Sequence, residues 1–123
     1  MSKIQVSVRM KVHNNMLEGF KRQAIECIKQ VKEKDSGTLQ YDWFLSSDYT
    51  ECEVHETYES SEALLAHLSN ISDSLGVLFG KYATDPSVAI YGEPSAELLE
   101  NIKTKGLDVK IYSFLEGLNQ VKK

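Results

Sequence analysis

The segment IQVSVRMKVHNNMLEGFKRQAIECIKQV, residues 4–31, decides the fold, because the period of its apolar residues changes partway along. Over residues 4–12 every second residue is apolar, which is the pattern of a strand with one buried face. From Leu17 onward the apolar residues recur at helical spacing and predict an amphipathic helix. Asn15 is placed to cap its start, and Asp35-Ser36-Gly37 supplies its end. The segment therefore forms a β-α unit.

The next part of the chain predicts a hairpin and a second helix. Residues 38–45 and 50–58 are rich in β-forming side chains and flank a short polar turn. Ser60 then begins a helix that carries a glutamate in its first turn, where a negative charge suits the helix dipole. We expect this helix to break near residues 70–72. A β-β-α segment thus follows the initial β-α unit.

A strand, a helix and a further strand complete the chain. Residues 86–92 read as a short strand, Ser95 caps a third helix that ends at Gly106, and residues 107–115 return to a strand. The first four strands and two helices have the order β-α-β-β-α-β, which is typical of an α+β, ferredoxin-like antiparallel sheet. We predict one such domain over residues 1–123, with an extra C-terminal helix and strand.

One face of this sheet predicts a homodimer. A ferredoxin-like sheet has helices on one face only, and the opposite face includes Phe44 among its polar residues. Bare sheet faces of this kind usually pack against another sheet. The extra helix and strand could cover an edge or reach across to the partner.

Composition excludes several classes of function. The 123 residues are 41% hydrophobic and 26% charged, with a net charge of −4, so a nucleic-acid partner is not expected. The one basic pair, Lys122-Lys123, reads as a solvated tail. No segment has the length and apolarity of a membrane span or a signal peptide. Cys27 and Cys52 are isolated, which favours buried, reduced side chains in a cytoplasmic protein.

Strand parity brings several polar side chains to the covered face of the sheet. A turn at residues 46–49 pairs Trp43 with Cys52 and Leu39 with Glu56, although a one-residue slip would reverse every assignment. Besides apolar side chains, this parity places a carboxylate and three polar aromatic side chains under the helices: Glu56, Tyr41, Trp43 and Tyr58. The aromatic residues could stack on a planar ligand or simply pack in the core.

His67 lies on the inward seam of the second helix, between Leu64 and Leu68. An inward imidazole above Glu56 could be a general base that the carboxylate orients. The alternative, which residue types alone favour, is a buried histidine for which Glu56 is a structural partner. The chain's three histidines show no metal-binding spacing, so no metal site is predicted.

Two motifs resemble the antibiotic biosynthesis monooxygenase superfamily. GTLQYDWF, residues 37–44, is similar to its "GxLxY" strand, and ETYESSEALLAH, residues 56–67, is similar to its "ExY/W" strand end, acidic-serine cap and "AH" helix. YGEPS, residues 91–95, resembles a subgroup described as quinol monooxygenases. The resemblance covers nearly the whole chain.

The resemblance implies a dimeric α+β barrel with a pocket between helices and sheet in each subunit. Relatives of this kind include cofactor-free oxygenases of quinols and anthrones, a phospho-sugar isomerase and haem-degrading enzymes. The last use an Asn on the first strand, where this chain has only apolar inward residues. The superfamily's helix histidine corresponds to His67 and its post-strand carboxylate to Glu56.

The leading hypothesis is a monooxygenase that needs no flavin, metal or haem and acts on a quinol or related aromatic molecule with O₂. The substrate would bind against Tyr41, Trp43 and Tyr58, and His67, oriented by Glu56, would remove a phenolic proton. The alternatives are a non-enzymatic small-molecule-binding or stress-associated dimer, and an isomerase on the same scaffold.

Overall fold

The computed structural model describes residues 3–118, so the Lys122-Lys123 tail lies outside the described residues. Strands and helices alternate as β-α-β-β-α-β, followed by one further helix and strand. A π-helical turn at Leu78–Tyr82 extends the second helix. The elements are β1 (Ile4–Val12), α1 (Leu17–Lys34), β2 (Thr38–Leu45), β3 (Glu51–Tyr58), α2 (Ser61–Val77), β4 (Ala83–Tyr91), α3 (Ala96–Thr104) and β5 (Asp108–Tyr112).

The five strands form one sheet in the order β2-β3-β1-β4-β5. The first four are antiparallel, with Val6 of β1 opposite Glu56 of β3, whereas β5 joins β4 in parallel. The ferredoxin-like α+β prediction is therefore confirmed. The extra helix and strand extend the edge of the sheet next to β4.

The helices cover one face of the sheet, and the core lies between these two layers. The inward residues of β1 predicted from alternation, including Ile4, Val6 and Met10, are almost fully buried. They meet Phe20 of α1 and other apolar side chains from all three helices. Further core residues are Cys27, Val31, Cys52, Val54, Tyr58, Leu64, Ile71, Leu78, Ile90, Leu98 and Ile102. Of the helices within residues 3–118, none has the length and apolarity that a bilayer crossing requires.

Two predictions about the helix ends are wrong. Asn15 does not cap α1: its backbone turns into the left-handed region with φ of 62°, and Met16 takes the cap position without a side-chain hydrogen bond. The predicted break at residues 70–72 does not occur, because Ile71 is fully buried there and this packing outweighs the low helix propensity of its polar neighbours. Ser60 caps α2 as predicted, accepting a hydrogen bond from the Ala63 amide.

The hairpin register differs from the prediction by two residues. Trp43 pairs with Val54 rather than Cys52, because the Asp48 carboxylate organises a wider loop by accepting hydrogen bonds from Ser46 and Thr50. A shift of two keeps every residue on its predicted face.

Leu39 is the exception to this face assignment. It was expected on the covered face opposite Glu56, yet its side chain is 54% exposed. The pairing shifts register between Thr38 and Gln40, and Tyr41 rather than Leu39 lies opposite Glu56. An extra residue in one strand turns the side chain to the other face.

Gly92, between β4 and α3, has a backbone conformation that should not tolerate a side chain. Its φ of +129° is strained for any L side chain, and a Cβ there would lie 3.1 Å from the Lys3 carbonyl oxygen. We expect Gly92→Ala to lower the free energy of unfolding by about 1–3 kcal/mol in urea denaturation. Gly76→Ala is the control, since a Cβ there meets nothing within 4 Å; it should be neutral or stabilising by up to about 1 kcal/mol. Equal losses in both variants would contradict the strain argument.

Candidate active site

A cavity of about 390 Å³ lies between the covered face of the sheet and helices α2 and α3. Its volume is at the lower end of the range for small-molecule sites, and apolar side chains dominate its walls. The apolar lining residues are Val6, Val8, Met10, Leu64, Leu68, Leu75, Phe79, Pro86, Val88, Ile90, Ile102 and Leu107.

Five polar side chains also line this cavity, and they fall into two groups. Tyr41, Glu56 and His67 lie at its buried end, where Glu56 is 7% and His67 is 2% exposed. Ser72 and Lys105 are exposed to solvent, so they border the part of the cavity that opens to the surface. The cavity thus has a polar floor, apolar walls and a second polar group at its opening.

His67 is held by Asp35, the residue that ends α1. The two side chains are 3% exposed, and Nδ1 of His67 lies 2.8 Å from Oδ2 of Asp35. A carboxylate only accepts, so Nδ1 carries the proton and donates it to this bond. The other nitrogen, Nε2, then has the lone pair of a neutral imidazole, and the residue borders the cavity. This is the arrangement of an oriented general base.

Two further donors complete the environment of Asp35. Thr38 Oγ1 donates to Oδ2 over 2.6 Å, and Asn70 Nδ2 donates to Oδ1 over 2.9 Å. Burial raises the pKa of Asp35, but the hydrogen bonds from Thr38, Asn70 and His67 outweigh it and hold the pKa below its usual value. Burial in turn lowers the pKa of His67 below its usual value, against the opposing hydrogen bond and charge of Asp35. At neutral pH the pair is therefore a carboxylate and a neutral imidazole.

Glu56 has a different partner from the one predicted. The sequence suggested that Glu56 orients His67, whereas the structure gives that position to Asp35 and pairs Glu56 with the Tyr58 hydroxyl, which donates to Oε1 over 2.5 Å. Burial raises the pKa of Glu56 to about 7, with the Tyr58 hydrogen bond opposing this. Near neutral pH a large fraction of Glu56 is thus a protonated acid, facing the same cavity as a neutral histidine.

The three aromatic residues predicted to bind substrate occupy different places. Tyr41 borders the cavity, with its ring 5.1 Å from that of His67. Trp43 lies behind it, packed against Tyr41 and Phe20 at centroid distances of 5.8 and 6.1 Å, and is not a lining residue. Tyr58 is completely buried and is not a lining residue; its hydroxyl bonds to Glu56, and its ring lies 5.1 Å from that of His67. Burial, followed by the charge of Glu56, raises the pKa of Tyr41, so its hydroxyl remains protonated.

Asp35 is the functional residue that sequence reasoning missed. The Asp35-Ser36-Gly37 stretch was interpreted only as a helix end. Its role depends on a contact across 32 positions, between the end of α1 and the middle of α2. The sequence signal for this contact was the position of Asp35 just before β2, a strand that was already expected to lie under His67.

The other two histidines lie away from this cavity. His55 is exposed on the opposite face of the sheet and bonds to Glu53. Nδ1 of His13 lies 3.0 Å from the backbone carbonyl oxygen of Lys81. Within residues 3–118 no group of three or more histidine, cysteine, aspartate or glutamate side chains is suited to a metal ion.

A known protein family matches the part of the chain that carries Glu56 and His67. The model of the antibiotic biosynthesis monooxygenase family matches residues 4–71, more than half of the chain. Among curated proteins, none matches significantly.

Solved structures resemble the chain in fold. MupZ from Pseudomonas fluorescens is 17% identical with a TM-score of 0.76, covering 98% of this chain and 97% of MupZ. SnoaB from Streptomyces nogalater, a cofactor-independent oxygenase, is 10% identical with a TM-score of 0.66, over 78% of this chain and 97% of its own. Rv0793 from Mycobacterium tuberculosis is 19% identical with a TM-score of 0.65, over 76% and 97%. At these identities the likeness concerns the fold alone.

The raised pKa of Glu56 should give the protein an unusual pH dependence of stability. Because its pKa rises from 4.5 to about 7 on folding, the folded protein holds this proton more tightly than the unfolded chain, and the group's contribution to stability declines as pH rises through that window. Gln keeps an acceptor for Tyr58 and does not ionise. The stability of Glu56→Gln relative to wild type should therefore increase between pH 4.5 and 7, by about 3 kcal/mol at most, and then level off.

Glu53→Gln is the matched control for this test. Glu53 is on the same strand with its side chain on the outer face, and hydrogen bonds from His55 and Arg9 lower its pKa. Its replacement should cost a little stability above pH 4.5, which is the opposite sign. Urea unfolding at several pH values measures both. A Glu56→Gln difference that does not vary with pH would show that Glu56 titrates normally.

Proposed function

The chain belongs to the antibiotic biosynthesis monooxygenase family, and on that premise we propose that it oxygenates a quinol or related electron-rich phenol without a bound cofactor. The observation that carries the proposal is the buried Asp35–His67 pair, which presents a neutral imidazole to an apolar cavity. A phenol becomes reactive toward O₂ once it is deprotonated. A base at the closed end of a cavity that excludes water meets this requirement.

The proposed reaction starts with proton transfer from the phenol to Nε2 of His67. The phenolate then gives one electron to O₂, and the resulting radical pair combines to form a peroxide at a ring carbon that bears a hydrogen. The imidazolium returns its proton to the peroxide. Loss of the ring hydrogen as a proton breaks the O–O bond, leaves a carbonyl or its enol on the ring, and releases the second oxygen as water.

In the proposed reaction, Glu56 supplies the proton for the last step. Its pKa of about 7 makes a proton available at neutral pH, and in the proposal that proton goes to the departing hydroxide. The proton lost from the ring carbon restores the acid. The cavity volume and the Tyr41 ring support a planar aromatic substrate of modest size. SnoaB, a cofactor-independent oxygenase, has a similar fold, which supports oxygenation without a cofactor as the reaction class.

We also propose that the protein is a homodimer joined through the outer face of the sheet. On that face Phe44 is 51% exposed, and its ring is tilted against that of His55 with centroids 4.8 Å apart. Tyr91 and Tyr112 stack on the same face, with centroids 5.4 Å apart. Exposed aromatic side chains on a sheet face that carries no helix are suited to a second sheet.

A substitution at His67 tests the proposed base. His67→Asn keeps a side-chain N–H that can donate to Asp35 but lacks the basic nitrogen. We expect oxygen uptake with a panel of quinols and anthrones to fall by about 10²–10⁴-fold, the usual contribution of a general base. His55→Asn on the outer face should retain full activity. His67→Ala should also lose about 1–3 kcal/mol of stability, because it removes a donor from the buried Asp35 carboxylate.

The dependence of rate on pH tests the assigned roles further. Rate should rise as His67 loses its proton, below the usual histidine range, and fall as Glu56 ionises near pH 7. Asp35 raises the pKa of His67, so Asp35→Asn should move the rising limb to lower pH and reduce the plateau. Saturable quinol binding by wild type, with no oxygen uptake above the uncatalysed rate, would refute turnover and favour a binding protein.

Assembly is tested by analytical ultracentrifugation. Wild type should sediment as a dimer at micromolar concentration, and Phe44→Asp should shift it toward monomer because it buries a charge in the proposed interface. Ile25→Asp is the matched control, since Ile25 is 66% exposed on α1, on the opposite side of the molecule. A wild-type monomer at this concentration, or equal effects of the two variants, would contradict the sheet-face dimer.

A further inference from the structure

The open end of the cavity carries one basic side chain, Lys105, directly after α3. We propose that the substrate is an aromatic acid, whose carboxylate or similar anionic group lies at Lys105 while its phenolic end reaches His67. This inference rests on the proposed function, since it names the class of molecule that the same cavity accepts. It would make Lys105 a residue that determines specificity.

The distribution of polar groups supports a substrate with two different ends. Glu56 and His67 form the buried end of the cavity, and Lys105 borders its solvent-exposed end. Between them the walls are apolar, with Val88 and Leu68 among the lining residues. A molecule that fills this space therefore needs a hydrogen-bonding group at one end, an apolar ring system in the middle and a group compatible with a cation at the other.

Charge determines which way such a molecule enters. Behind the buried end lies the Asp35 carboxylate, a negative charge with a depressed pKa and little exposure to solvent. An anionic substituent placed there would be repelled by Asp35 in surroundings of low polarity. At the opening, none of the ion pairs formed within residues 3–118 involves Lys105. The anionic end is therefore favoured at the opening and the neutral phenol at His67.

The position of Lys105 in the chain fits a role in specificity rather than in chemistry. The family model matches residues 4–71, which include His67 and Glu56 but not α3 or β5. Ile102, Lys105 and Leu107 add a wall to the cavity from outside that range. A wall contributed by a separate part of the chain can change the accepted substrate without altering the acid and the base.

The test compares two ligands that differ only in charge. 6-Hydroxy-2-naphthoate has a phenol and a carboxylate at opposite ends of a flat bicycle, and 6-hydroxy-2-naphthamide replaces the carboxylate by a neutral amide. Isothermal titration calorimetry should show wild type binding the acid about two- to five-fold more tightly, the range expected for an exposed ion pair. The preference should shrink as NaCl is raised from 20 to 300 mM, values chosen to span a large change in screening (Debye length roughly 20 to 6 Å).

Substitutions on α3 and beside it locate the effect. Lys105→Gln should remove the preference for the acid and leave amide binding unchanged. Lys105→Glu should reverse it. Lys103→Gln removes the same charge from an exposed position on the same helix that does not border the cavity, and it should behave like wild type.

Three results would overturn the proposal: equal binding of acid and amide by wild type, binding of neither, or loss of the preference in Lys103→Gln as well as in Lys105→Gln. The measurement is independent of turnover, because it follows binding alone. Preferential binding of the acid without oxygen uptake on any quinol would therefore defeat the oxygenase proposal while leaving the substrate class intact. Oxygen uptake on neutral quinols with no acid preference would do the reverse.

Discussion

The Asp35 carboxylate is the group on which both the fold around the cavity and its chemistry depend. Its oxygens accept hydrogen bonds from Thr38 at the start of β2 and from His67 and Asn70 in α2. A nearly buried charge is stable only when such donors satisfy it, and removing one leaves the penalty of its desolvation. Three elements are therefore held in one relative position. The same bonds fix the rotation of α2 that directs His67 to the sheet.

Burial has opposite effects on the two titratable groups that border the cavity. It raises the pKa of Glu56 to about 7 and lowers the pKa of His67, because low polarity disfavours the charged form of each. Around neutral pH a large fraction of the carboxyl group holds a proton while the imidazole is free to accept one. The apolar packing that stabilises the domain thus also prepares an acid and a base side by side, a recurrent way of producing acid–base chemistry from ordinary side chains.

Alternation in the sequence was enough to predict the faces of the sheet but not its exact pairing. Trp43 and Tyr41 lie on the predicted face because a two-residue shift conserves parity, whereas Leu39 was misplaced by a bulge that no local pattern announces. His67 was placed correctly by helical spacing. Its partner was not, since strand parity offered Glu56 and the contact with Asp35 depends on how α1 ends beside α2. Long-range hydrogen bonds of this kind follow from tertiary packing, which a single sequence does not display.

The continuity of α2 shows how packing and function are related in this chain. Ser72 and Asn70 have weak helix propensity, yet buried Ile71 keeps the helix intact to Val77, and the irregularity appears at the π-turn of residues 78–82. A break at residues 70–72 would have removed Asn70 from the Asp35 carboxylate, and the helix would no longer have reached the lining residues Ser72 and Leu75. Because the helix continues, its first half carries His67 and its second half adds Ser72 and Leu75 to the cavity wall. The part of the cavity wall that Ser72 and Leu75 form therefore depends on one buried isoleucine, whose packing overrides local propensity.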